Sequence, residues 1–136
     1  MARKIYVNVP VKDLNRAITF YTHLGFTFNA QFTDENATCM VISEDIMVML
    51  LREEFFKTFT PKPIANAKES TEVLICISAE SREEVDQFVR LAIEAGGKAL
   101  MPKQDHGWMY GHGFEDLDGH MWEIGYMDMS SFPVNP

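Results

Sequence analysis

The chain is poor in the residues that mark several common classes of protein. It has two cysteines in 136 residues, and neither Cys39 nor Cys76 stands in a C-x-x-C or Cys/His spacing. This argues against a disulfide scaffold or a zinc site and predicts buried, reduced thiols. Positive charge is also scarce, because 12 lysines and arginines face 20 aspartates and glutamates, for a net charge of −8. An acidic surface of this kind argues against nucleic acid or an anionic membrane as a partner.

Long apolar runs and several catalytic motifs are missing as well. No run approaches the ~20 apolar residues of a membrane-spanning helix, and the opening Met-Ala-Arg-Lys leads into a strand-like alternation instead of an export signal. We therefore expect a cytoplasmic protein. The sequence contains no phosphate-binding or dinucleotide-binding glycine motif and no G-x-S-x-G motif, which leaves no candidate for nucleotide binding or covalent catalysis.

Residues 1–52 instead show the pattern of a βαβββ module. Residues 5–11 alternate between apolar and other side chains, as in a strand with one buried face. Asp13 is a candidate N-cap for an amphipathic helix, and Gly25 stands where such a helix would end. Three further strands are predicted at 26–32, 37–43 and 46–51, the last two joined by the short Glu44-Asp45 turn.

The same order of elements returns after a connector at 53–71, in which we expect a short helical turn at 53–59. A strand is predicted at 72–78, followed by a helix with the capping box Ser81/Glu84 and the terminator Gly96-Gly97. Strand-like segments follow at 98–101, within 106–115 and at 120–126, with a tight turn at Asp116–Gly119. The sequence thus predicts one α+β domain, with module two at about 72–136.

Two stretches of sequence resemble the vicinal oxygen chelate superfamily, which includes glyoxalases, bleomycin-resistance proteins and extradiol dioxygenases. They are IYVNVPVKDLNRAITFYTHLGF at 5–26 and FEDLDGHMWEI at 114–124, where Leu117 replaces the usual proline. The resemblance implies that two βαβββ modules form curved mixed sheets and a glyoxalase-like half-barrel cup. It also implies a homodimer and a glyoxalase-like lyase or isomerase activity on a small organic molecule.

The resemblance implies a set of candidate site residues too. The positions that match the four ligands of metal-dependent glyoxalases are Tyr6, Met49, Glu72 and Glu123. A thioether and a neutral phenol are poor ligands for a hard divalent ion, so we expect a metal-free site. The alternative is an Mg²⁺ or Mn²⁺ ion held weakly by Glu72 and Glu123. Strand alternation supports the assignment, because Glu123 falls on the face opposite Trp122 and its neighbour at 124.

Two functions follow from these candidates, and the sequence leaves both open. In the first, Glu123, Glu72 and Tyr6 are the catalytic residues of a glyoxalase-like enzyme, with a carboxylate as general acid or base. In the second, the chain is a metal-free protein that binds and sequesters a small cationic or aromatic compound. The candidate ligand-binding residues are the same for both: Met49, Met121, Trp108, Tyr110 and His112.

Overall fold

The computed structural model describes residues 3–132, which form two compact units that meet in sequence at Asn66 and Ala67. This division falls within the predicted connector. The expected helical turn in that connector is confirmed, since a one-turn helix (α2, Glu53–Phe56) continues into a 3₁₀ turn at Lys57–Phe59. No helix within residues 3–132 is long and apolar enough to cross a membrane.

The first unit is a four-stranded mixed sheet with one helix packed on it. Its strands and helix are β1 (Ile5–Val11), α1 (Leu14–His23), β2 (Thr27–Asn29), β3 (Ala37–Ser43) and β4 (Ile46–Arg52). The strand order is β1-β4-β3-β2, with β1 parallel to β4 and the other neighbours antiparallel. The side chain of Asp13 accepts a hydrogen bond from the Arg16 N–H at 3.1 Å, which confirms the predicted cap of α1.

The second unit repeats this plan. Its elements are β5 (Leu74–Ser78), α3 (Arg82–Glu94), β6 (Gln104–Asp105), β7 (Met109–Glu115) and β8 (Met121–Met127). The strand order is β5-β8-β7-β6, and β5 is parallel to β8. Ser81 caps α3 by accepting the Glu84 N–H at 3.1 Å, while the Glu84 carboxylate accepts the N–H of Glu80 at 3.3 Å.

The core of the second unit lies between α3 and one face of its sheet. The apolar stripe of α3 buries Val85 and Val89 against that face, where Phe114 and Trp122 stack in parallel with ring centroids 6.3 Å apart. Burial of large apolar rings such as these is a major favourable contribution to folding. The opposite face of the sheet carries the intervening side chains, so Glu123 is exposed as its alternation with Trp122 predicted.

The predicted pair of βαβββ modules is confirmed, and three local predictions are wrong. The strand predicted at 72–78 begins only at Leu74, because β8 begins at its partner Met121 and offers nothing earlier to pair with. The strand predicted at 26–32 ends at Asn29 and turns into a 3₁₀ helix. The strand predicted at 98–101 is reduced to an isolated bridge between Lys98 and Glu115.

The cysteines are both free thiols, as predicted, but they differ in exposure. Cys39 is buried in β3, whereas Cys76 in β5 is exposed, so the prediction that both are buried is wrong for Cys76. Ile75 and Ile77 point toward the core of the second unit, and alternation therefore turns the Cys76 side chain to the other face.

Candidate functional site

The second sheet has one face covered by α3 and one face that α3 leaves free, which we call the open face. Strand alternation puts on the open face every second residue of β5, β7 and β8. In the middle of this face the positions combine a carboxylate, small residues and sulfur-containing side chains: Cys76, Met109, Gly111, Gly113, Met121, Glu123 and Gly125. The surface around Glu123 is therefore largely apolar and is lowered by the glycines, while a second carboxylate, Glu115, lies at the end of β7.

Glu123 lies over bare backbone because its neighbour on β7 is glycine. Gly113 is the Cα partner of Glu123. A Cβ atom at Gly113 would lie 2.6 Å from the Trp122 carbonyl oxygen and 3.4 Å from Glu123 Cγ. Only glycine fits this position without moving the backbone, and its missing side chain leaves Glu123 accessible from the open face.

Cys76 is the neighbour of Glu123 on the other side, since the two are Cα partners in the parallel pair β5 and β8. Loss of hydration among its neighbours raises the pKa of the Cys76 thiol, and the negative charge of Glu123 raises this pKa further. Thiolate is the nucleophilic form of cysteine. The pair therefore offers a carboxylate beside a neutral thiol, and no activated nucleophile.

A small pocket of about 100 Å³ opens beside Glu123. Its walls include Leu100, Met101, Met109 and Met121, and His112 also lines it. Pockets that enclose a whole drug-sized ligand have volumes of roughly 300–1,000 Å³. The second unit by itself can therefore surround one group of a ligand, with a carboxylate at one side and apolar side chains at the others.

Two of the predicted site residues, Tyr6 and Met49, lie in the first unit. Tyr6 is 52% exposed and pairs with Met47, while Met49 pairs with Asn8. All four side chains share the face opposite the buried Val9. Sequence reasoning missed Asn8, whose amide donates to the Tyr6 carbonyl at 3.3 Å.

Glu72 lies outside the strands, exposed and two residues before β5. The strand registers of the two modules show which residue lies at the position where Glu72 was expected. Tyr6 pairs with Met47, two residues before Met49, and Leu74 pairs with Met121, two residues before Glu123. Leu74 thus occupies in the second unit the position that Tyr6 occupies in the first, and the structure does not bring Glu72 beside Glu123 in the strand register.

The aromatic candidates lie on the α3 side or at the end of β7. Tyr110 is buried, its hydroxyl donates to Asp86 of α3 at 2.6 Å, and Arg82 stacks over its ring at 4.9 Å. The hydrogen bond to Asp86 and burial raise the pKa of Tyr110. Trp108 packs edge to face on Phe132 with centroids 4.7 Å apart. Tyr110 thus joins β7 to α3, and Trp108 joins the loop before β7 to Phe132. Met121 lines the pocket.

The donor set does not fit the four-ligand metal site of metal-dependent glyoxalases. Among residues 3–132, no three histidine, cysteine, aspartate or glutamate side chains come close enough together to hold a metal ion. The strand neighbours of Glu123 are Cys76 and Gly113, and those of Met49 are Asn8 and Cys39. An Mg²⁺ or Mn²⁺ ion binds oxygen ligands, and among these neighbours only the Asn8 amide offers a side-chain oxygen.

Comparison with known proteins gives the same fold. The family model of the Glyoxalase/Bleomycin resistance protein/Dioxygenase superfamily matches residues 5–124. The hypothetical protein SA1046 from S. aureus is 29% identical with a TM-score of 0.79, covering 93% of this chain and 94% of that chain. A glyoxalase-related enzyme from Fulvimarina pelagi is 15% identical with a TM-score of 0.79, covering 99% and 94%. Lactoylglutathione lyase from Agrobacterium tumefaciens is 16% identical with a TM-score of 0.68, covering 98% and 99%. No curated protein matches the sequence.

Proposed function

Since the chain belongs to the Glyoxalase/Bleomycin resistance protein/Dioxygenase superfamily, we propose that it binds a small organic molecule on the open face of the second sheet. Glu123 anchors a positively charged group of that molecule, and the neighbouring apolar side chains hold the remainder. The observation that carries the proposal is the exposed carboxylate of Glu123, which stands over Gly113 at the edge of an apolar pocket.

The charge of the chain supports a cationic ligand. A net charge of −8 attracts cations and increases the rate at which they meet the surface. Thioethers such as Met121 are polarisable and adapt to flat or branched groups, so they suit the apolar part of the ligand. The site works without a bound metal in this proposal. The homodimer and the cytoplasmic location expected from the sequence stay predictions.

A glyoxalase-like enzyme is the second candidate function, and one observation favours it. Glu123 lines the pocket, so its carboxylate could exchange a proton with a bound molecule as a general acid or base. The name lactoylglutathione lyase, carried by a neighbour of the same fold, suggests lactoylglutathione as the first compound to test. Its conversion, followed by ultraviolet absorbance and lost in Glu123→Gln, would support this candidate.

The binding proposal is tested with benzyltrimethylammonium, a cation with a flat apolar group, by isothermal titration calorimetry. Glu123→Gln should weaken its binding by about 1.4-fold to fivefold, the range of a solvent-exposed ion pair. The matched control is Glu115→Gln, because Glu115 lies on the same face but outside the pocket lining. Equal affinities in the wild type and Glu123→Gln would refute the anchoring role of Glu123.

A further inference from the structure

The edge of the second sheet bends away from β7 next to the pocket. Lys98 pairs with Glu115, and Gln104 pairs with Gly111. The edge segment advances six residues, from 98 to 104, while β7 advances four, from 115 to 111. The edge segment therefore has two extra residues. Extra residues of this kind force a strand to bulge. We call the bulged segment, residues 99–103, the arch.

The arch presents apolar side chains to the pocket. Leu100 is 55% exposed and Met101 is 62% exposed, and together with Pro102 they line the pocket. Large apolar side chains on a protein surface that also border a pocket are typical of a ligand-binding site. The residues of the pocket with polar side chains, Glu123, Gln104 and His112, lie on the strands, so the arch supplies an apolar wall.

Both ends of the arch are fixed. At one end, Lys98 and Glu115 exchange two backbone hydrogen bonds of 3.1 and 2.7 Å. At the other end, Arg82 donates to Asp105 at 2.7 Å and to the Gly107 carbonyl at 2.9 Å. These contacts join the two ends to β7 and to the start of α3.

The middle of the arch is held by a histidine. His112 Nε2 lies 3.0 Å from the carbonyl oxygen of Met101. A carbonyl can only accept, so Nε2 carries the proton and donates it to this bond. His112 is flanked by Gly111 and Gly113, which form the floor of the pocket. Strand alternation turns the His112 side chain to the α3 side of β7, so its hydrogen bond joins the arch to β7 from the side opposite Glu123.

We propose that the arch determines which ligands the site accepts and that His112 is a positioning residue that holds Met101 over the floor. This inference rests on the proposed function and defines its ligand class more closely. The preferred ligand carries an aryl or branched alkyl group next to its cationic centre. Glu123 holds the cation, and the apolar group packs between Met101 and the strand methionines, where sulfur–aromatic contacts are favourable.

The test compares the dissociation constants of tetramethylammonium and benzyltrimethylammonium, whose ratio reports the contribution of the apolar wall. The wild type should prefer the benzyl compound. In Met101→Ala the preference should fall by about fourfold, the effect of one buried methylene group. His112→Ala should reduce it similarly, and His112→Gln, which keeps an N–H donor, should restore part of it. Met129→Ala is the control, because Met129 is 65% exposed and does not line the pocket.

The outcomes for Glu123 and for the arch are separable. Glu123→Gln should weaken both cations by the same factor and leave their ratio unchanged. If the ratio falls in the arch variants while Glu123→Gln has no effect, the anchor is refuted and the arch stands. An unchanged ratio in both Met101→Ala and His112→Ala would overturn the arch proposal, as would a wild type with no preference for the benzyl compound. Met101→Ala keeps the test valid if His112→Ala fails to fold, because the Met101 side chain is exposed.

Discussion

Replacing Gly119 with alanine tests the packing of the second unit at its tightest turn. Gly119 has a φ of +94° and closes the Asp116–Gly119 turn through a 3.2 Å hydrogen bond to the Asp116 carbonyl. A Cβ atom there would lie 2.7 Å from the Ala67 carbonyl carbon and 2.7 Å from the Lys68 nitrogen. Backbone atoms cannot swing aside as a flexible side chain can, so the turn or the 67–68 segment would have to move.

Two costs add in this variant. A residue with a Cβ atom loses about 1–2 kcal/mol in the left-handed region, partly offset by a less flexible unfolded chain. Overpacking against fixed atoms costs about 1–3 kcal/mol more. Gly107 separates the two costs, because its φ is +82° and no atom lies within 4 Å of its added Cβ. We expect losses of about 3 kcal/mol for Gly119→Ala and about 1 kcal/mol for Gly107→Ala.

The free energy of unfolding can be measured by urea denaturation followed by circular dichroism. Gly96→Ala should fall between the other two variants, since its Cβ would lie 3.1 Å from the movable Leu117 Cδ2 at a φ of +107°. If Gly119→Ala and Gly107→Ala lose the same free energy, within about 0.5 kcal/mol, the 67–68 segment does not pack against the turn in solution.

The other two predictions concern the contacts that join α3 to β7 and to the loop before it. Tyr110→Phe should cost about 1 kcal/mol near neutral pH by removing the bond to Asp86. Because that bond raises the pKa of Tyr110, its contribution to the free energy of unfolding should be complete below about pH 10 and should be lost at higher pH. The urea midpoints of the wild type and Tyr110→Phe should therefore converge above that pH. Arg82 and the Gly107 N–H lower the pKa of Asp105. Asp105→Asn should therefore be less stable than the wild type above about pH 4, and this difference in stability should disappear in stronger acid. A difference that persists in strong acid would contradict this reasoning.

Features with a local signal could be predicted from the sequence. The caps at Asp13 and Ser81 and the Glu44-Asp45 hairpin depend on residues a few positions apart, and all appear as predicted. The alternation around Glu123 also fixed its face correctly, because a strand's period of two needs no knowledge of its partner. The pair of modules followed from the order of these signals.

Features that depend on strand register could not be predicted in this way. The sequence could not show that β5 begins at Leu74, because that limit comes from Met121, 47 positions further along the chain. For the same reason it put Glu72 in the position that Leu74 takes. The arch was missed because two extra residues become visible only when Lys98 and Gln104 are paired with β7. The sequence also could not show that Cys76 is exposed, because that depends on which face of the sheet α3 covers.

The strand pairs β1/β4 and β5/β8 have matching registers, so each position of the shorter pair has a counterpart in the other sheet, with an independent occupant. Met49 and Glu123 are counterparts, as are Tyr6 and Leu74 and also Asn8 and Cys76. A protein engineer could therefore exchange side chains between counterparts, because each destination already holds a strand residue in the same register and on the same face. Acidic or amide groups could be moved from one sheet to the other without redesigning a backbone, which makes the duplicated frame a ready source of sites with new polarity.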